Sequence, residues 1–169
     1  MHGCYCSYCH LPLYVFCGEH LVRIRLRWPE TRIIVRRDSG FCREDLMGWC
    51  EAHDIDYVPG LATSSCLKAA IATELAGVKA QYKATQQAAR AFRDFRYRTR
   101  KSWSSERRVI GKAEHLVKGE NPRFVVTSLL ADKLDARALH EERYCARGVM
   151  ENRIKEHQLT LLQACTIDL

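Results

Sequence analysis

Apolar and polar positions in this chain change period several times, and each change predicts an element. Ile33 to Val35 is a β-branched apolar run that closes in Arg36-Arg37-Asp38-Ser39-Gly40. Such a run predicts a short buried strand, and Ser-Gly after a carboxylate predicts a turn. Leu46, Met47, Trp49 and Cys50 then recur at helical spacing, which predicts a helix over about 43–53, closed by Asp54. Asp56 to Leu61 reads as the next strand, although Pro59 weakens it. Strand, helix and strand with short joints make a βαβ unit, so the strands at Ile34 and Val58 should be parallel neighbours.

Upstream, Leu11 to Cys17 is apolar and β-prone, with Pro12 at its start. Gly18-Glu19-His20 reads as a turn, and Leu21 to Leu26 alternates with Arg23 and Arg25, so the two runs suit a hairpin. Downstream, an Ala-, Leu-, Lys- and Gln-rich stretch predicts a helix from about Ser65 to Ala89, with a break near Gly77. Phe92 to Thr99, Glu106 to Ala113 and Pro122 to Ser128 then read as strands, with a turn at Lys118 to Pro122. In the first of these, Arg96, Arg98 and Arg100 share one face and Phe95, Tyr97 and Thr99 the other. A last helical pattern runs from about Asp135 to Leu162, weakest at Gly148. No internal repeat or low-complexity linker interrupts the order.

Composition adds a charge bias. The 169 residues carry a net charge of +7, which favours polyanionic partners. Arg90, Arg93, Arg96, Arg98, Arg100, Lys101, Arg107, Arg108 and Lys112 crowd one segment, interleaved with Tyr97 and Trp103. A solvated surface would explain such a run equally well. No apolar stretch is long enough for a membrane span, and the N-terminus lacks signal-peptide features, so a cytoplasmic protein is expected. Nine cysteines in that setting suggest free thiols. Cys6-Ser7-Tyr8-Cys9-His10 matches a haem-attachment pattern, but nothing signals export; zinc at Cys4, Cys6, Cys9 and His10 or Cys17 lacks a second C-x-x-C pair.

Two carboxylates stand out. Asp38 ends a buried strand, where open α/β sheets place their sites, although Asp is also a common N-cap there. Tyr144, Arg147, Glu151 and Lys155 are spaced i, i+3, i+7, i+11 and fall within about an 80° arc of one helix face. Arg147–Glu151 and Glu151–Lys155 are also ordinary i,i+4 salt-bridge pairs. Taken together, Asp38 and Glu151 suit metal-dependent phosphoryl transfer. That chemistry needs rigid carboxylates around ions ~3.5–4 Å apart and basic residues to neutralise a nucleic-acid backbone.

The chain resembles insertion-sequence transposases with a DDE catalytic domain, in the branch whose insertion between the second and third carboxylates is mostly β. The resemblance rests on Leu11 to Gly18, Arg36-Arg37-Asp38-Ser39-Gly40-Phe41, Phe95-Arg96-Tyr97-Arg98-Thr99, Gly111-Lys112-Ala113-Glu114-His115-Leu116, and Tyr144 to Lys155. It implies an α/β fold: a partial ribonuclease-H-like mixed sheet with flanking helices and a β-rich insertion before the C-terminal helix. Residues 1–62 would be partial core, 63–130 a helix plus β insertion, and 131–169 the helix bearing the third carboxylate. It also implies Mg2+ as cofactor, held by Asp38 and Glu151 as second and third catalytic carboxylates. Tyr144, Arg147 and Lys155 would contact phosphates of the transposon end, and Arg96, Arg98 and Arg100 would add DNA contacts.

The implied reaction is Mg-dependent cleavage and strand transfer at transposon ends, in a bacterial cytoplasm, with DNA as partner and a homodimer for a complete family member. Gln158 stands where the family's signature has Lys, and Arg37 where it usually has Gly. The family's first catalytic Asp lies on a strand ahead of Met1-His2-Gly3, and a helix between the early hairpin and the Asp38 strand is missing. The expectation is therefore a truncated catalytic domain, inactive or nearly so on its own. The alternative is a remnant that binds DNA non-specifically through its basic face.

Overall fold

In the computed structural model the β-branched run at Ile34 forms the first strand of a mixed sheet that has six strands among the described residues. The structure describes Glu30 and residues 32–145. The hairpin predicted at Leu11 to Leu26, the early cysteines, and Arg147, Gly148, Glu151 and Lys155 lie outside the described residues. The elements run β1 (Ile34–Arg37), a 3-10 turn (Ser39–Phe41), α1 (Glu44–Ala52), β2 (Asp56–Leu61), α2 (Ser65–Ala70), α3 (Ala72–Thr85), β3 (Ala89–Tyr97), β4 (Arg107–Leu116), β5 (Gly119–Glu120), β6 (Arg123–Thr127), α4 (Ala136–Ala138) and a π-helical turn (Leu139–Tyr144). All belong to one compact unit beginning at Ile33.

The sheet order is β1-β2-β6-β4-β3, with β5 paired to β4. β1 and β2 are parallel, with Arg36 opposite Val58 and Arg37 opposite Pro59, as the βαβ pattern requires. The other pairings are antiparallel. The β-rich segment thus continues the sheet that β1 and β2 begin. Pro59 is tolerated because the β2–β6 ladder pairs at Gly60 and Leu61, just beyond it. Before it, side-chain hydroxyls take over: Thr127 Oγ1 donates to the Tyr57 carbonyl at 2.8 Å, and the Tyr57 N–H donates to Ser128 Oγ at 3.1 Å.

Register assigns the two faces. On one, Val58, Ile110, Val125, Leu129 and Leu139 form a buried cluster joined by Ile34, Phe92 and Tyr144, so the segment from Ala136 to Tyr144 covers this face. On the other, Met47 and Cys50 of α1 are buried, as are Leu75 and Val78 of α3. The long helix breaks at Ile71, not at Gly77. Ile71 (φ −115°, ψ 23°) ends α2 and starts α3. It is fully buried, and its Cγ2 would lie 2.6 Å from a Cβ placed on Gly111 of β4. Burying this β-branched side chain against the sheet outweighs unbroken helical hydrogen bonding, whereas Gly77 lies exposed within α3.

A methyl group at Gly111 should therefore overpack this contact. Gly111→Ala is expected to destabilise the fold by about 1–3 kcal/mol. The same substitution should cost measurably less in an Ile71→Ala background. Urea midpoints of the four proteins in that cycle check it.

Candidate functional site

Asp38 directly follows β1 at the carboxyl end of the parallel β1–β2 pair. Its backbone is extended (φ −76°, ψ 166°), and its carbonyl accepts from Phe41 N at 3.1 Å. It occupies the N-cap position of the 3-10 turn, yet its side chain makes no cap hydrogen bond, so capping does not account for the carboxylate. Asp38 is exposed, next to the end strand β1 of the described sheet.

The segment leading to Tyr144 crosses the buried face toward the same place. Asp135 caps α4 through Oδ1, accepting from Ala138 N at 3.0 Å. The chain then winds as a π turn, and Tyr144 ends it. A Cβ placed on Gly60 would lie 2.5 Å from the Tyr144 hydroxyl and 3.3 Å from the Ser39 backbone nitrogen. Tyr144 therefore rests on the bare backbone of β2, beside the residue that follows Asp38. Arg36, two residues before Asp38, donates from Nη1 to the Arg143 carbonyl at 2.7 Å.

Beneath the π turn lies a buried polar group. Glu114 accepts from Lys112 Nζ (2.6 Å), Arg90 Nε (2.9 Å) and Asn121 Nδ2 (2.8 Å), while Arg90 Nη1 donates to Glu141 Oε1 (2.8 Å). Burial alone would raise the Glu114 pKa, but these donors outweigh it and hold the carboxyl at about 2. His140 is buried beside this group, with ring contacts to Phe92 and Tyr144. Burial, then the charges of Lys112 and Arg90, lower its pKa to about 4.

The basic segment divides in two. Arg107, Arg108 and Lys112 are buried. Arg107 is clamped by Glu44 (2.7 Å) and Glu51 (2.7 Å), and Arg108 by Asp94 (2.6 Å) with the carbonyls of Leu129 and Leu134. Arg90 and Arg93 also face carboxylates. Arg90 and Arg93 are exposed, as are Arg96, Arg98, Arg100 and Lys101. The alternation expected for β3 holds, with Phe95, Tyr97 and Thr99 half-buried. Arg96 sits on the end strand β3, four strand spacings or ~19 Å across the sheet from β1. The structure thus brings Asp38 and Tyr144 into one neighbourhood and places Arg96, Arg98 and Arg100 on a separate surface.

The family model for transposase DDE domain group 1 matches residues 22–166. The chain belongs to this transposase family. No curated protein and no solved structure matches it. Membership implies DNA transposition by phosphoryl transfer, DNA as partner, and use of a divalent metal. The chemistry of Asp38 fits such a metal, since an exposed carboxylate is a hard oxygen donor. Among the described residues no three His, Cys, Asp or Glu side chains cluster as a metal-binding group. No helix among them is long and apolar enough to cross a membrane.

The residues on which this transposase segment depends include several that pattern reading passed over. Gly60 had a signal, because glycine inside a strand often marks close backbone approach. Arg36 had none beyond its place in a family-like stretch, since its partner Arg143 lies far off in sequence, and the Lys112–Glu114 pair gave no sign that it is buried and joined by Arg90.

Two outcomes follow from this geometry. Gly60→Ala meets only the tip of a flexible side chain at its closest contact, so it should cost under about 1 kcal/mol in a urea melt while displacing the Tyr144 ring. Loss of nuclear Overhauser contacts between Tyr144 and residues 39 and 60 would register the displacement. His140 is held neutral by the fold, so between pH 6.5 and about 4 the unfolded chain binds a proton that the folded chain refuses. Stability should fall across that window as pH drops, by on the order of 3 kcal/mol relative to His140→Phe, in paired urea titrations.

Proposed function

We propose that this chain is catalytic-domain sequence of an insertion-sequence DDE transposase, organised as a ribonuclease-H-like sheet. Asp38 and Glu151 act as its second and third metal-binding carboxylates. The observation that carries the proposal is the seat of Tyr144 on Gly60 beside Ser39. It brings Tyr144, which precedes Arg147 and Glu151 in the sequence, to the carboxyl end of the Asp38 strand, where the two carboxylates would have to meet.

In this assignment Asp38 supplies hard oxygen donors from an edge that DNA can reach. Tyr144 presents a hydroxyl for a phosphate oxygen, and Arg147 and Lys155 contribute cations to phosphates of the transposon end. Bound Mg2+ would neutralise charge at the transferring phosphate and make the attacking oxygen more acidic. Arg96, Arg98 and Arg100 hold the DNA backbone at the far edge of the sheet, away from the reacting phosphate. Of the three carboxylates this chemistry uses, two are assigned within residues 1–169. The polypeptide of those residues alone should therefore bind DNA without joining strands.

Binding of a DNA duplex across a salt series tests the proposal. Affinity should fall steeply with salt and depend little on sequence outside a transposon end. Replacing Arg96, Arg98 and Arg100 together by Ala should reduce the log–log salt slope by about 2–3 and leave the melting temperature unchanged. Affinity that stays flat from low to moderate salt would remove DNA as the partner. Efficient Mg-dependent strand transfer by residues 1–169 alone would overturn the carboxylate assignment. Wild-type affinity in both Tyr144→Phe and Arg147→Ala would leave only the non-specific binder.

A further inference from the structure

Ala136 to Tyr144 does not continue as the regular α-helix that its pattern suggests, because Leu139–Tyr144 is wound as a π turn. Isolated π turns are uncommon, and they concentrate at functional sites. The winding has a geometric effect. Its i→i+5 hydrogen bonds bring residues five apart toward one face, whereas in an α-helix they diverge by about 140°. Leu139 and Tyr144 are five apart, and both pack on the Val58–Ile110–Val125 cluster. With α winding, burying Leu139 would turn Tyr144 away from Gly60.

The turn is held from both ends of the described sheet. From β1, Arg36 donates to the Arg143 carbonyl. From β3, Arg90 reaches Glu141, and its other nitrogens are fixed on buried Glu114 at 2.9 and 2.7 Å. Lys112 and Asn121 in turn hold the second Glu114 oxygen. A guanidinium anchored at one side by a buried carboxylate has little freedom left, so it sets where Glu141 can sit. We propose that Arg36 and Arg90 are positioning residues of this transposase. They clamp the π turn from opposite end strands of the described sheet and thereby set Tyr144 on Gly60, beside the residue that follows Asp38. This role rests on the functional assignment of Tyr144 above, but the clamp itself can be tested without DNA.

Hydrogen exchange followed by mass spectrometry provides that test, on the full chain at a temperature where near-ultraviolet dichroism shows each variant folded. Arg90 and Glu141 are remote from Ser39–Phe41, so only transmission through the π turn should reach those amides. Arg90→Met, Glu141→Gln and Arg36→Met should each speed exchange over 39–41 at least several-fold. Arg93→Met, which breaks an ion pair with Glu74, should leave it unchanged. Glu141→Gln preserves the Arg90–Glu114 contact and so separates loss of the clamp from general loosening of β3. Exchange over 39–41 at the wild-type rate in both Arg90→Met and Glu141→Gln would overturn the proposal.

A second readout uses the affinity of a DNA duplex. If the clamp acts by placing Tyr144, Arg36→Met and Tyr144→Phe should together weaken binding no more than the stronger of the two, and Arg36→Lys should restore most of the loss. Additive losses would overturn the positioning role. If Tyr144→Phe binds DNA like wild type, the functional assignment of Tyr144 falls, and the exchange data still judge the clamp.

Discussion

The fold depends on one constraint: the charges buried along β4 must each be met. Residues from Arg107 to Glu114 are buried without interruption, and four of them are ionisable. A buried charge that loses its partner costs roughly 3–5 kcal/mol, so each is an instruction about where another element must lie. Arg107 draws in α1 through Glu44 and Glu51, and its guanidinium also lies over the Trp103 ring. Arg108 fixes β3 through Asp94 and the descending loop through two carbonyls. Glu114, with Lys112, orders Arg90 and the loop at Asn121. The strand is apolar enough to be central and charged enough to set its surroundings.

The β1–α1–β2 unit was legible because each of its elements shows its own period: a β-branched run, a 3.6-residue stripe, then a second apolar run. The strands of the β-rich segment were legible for the same reason. The break at Ile71 was not, because what decides it is Gly111, forty residues on, and propensity pointed to Gly77 instead. The buried state of Arg107, Arg108 and Lys112 was hidden too. A row of cations reads as surface until the carboxylates that meet it, such as Glu44 and Asp94, are placed by folding.

The candidate site was legible at its anchor and not in its assembly. Asp38 stood out because a carboxylate at the end of a buried strand is in a useful place, and its side chain does not cap the turn that follows. Tyr144 stood out as part of a spaced helical set. That the two approach each other follows from a glycine, a pair of arginines and a change of helical winding. None of these carries a periodic signal, because each acts between segments far apart in sequence.

The partition of the basic residues has a consequence for how this protein meets a polyanion. Arg90, Arg93, Arg107, Arg108 and Lys112 face carboxylates of the fold itself, so their charges are matched at short range. Arg96, Arg98, Arg100 and Lys101 are exposed to solvent, on and just after the end strand β3 of the described sheet. The long-range pull of a polyanion acts on cations in solvent more than on those matched inside the fold, so an encounter at this strand would be governed by these side chains.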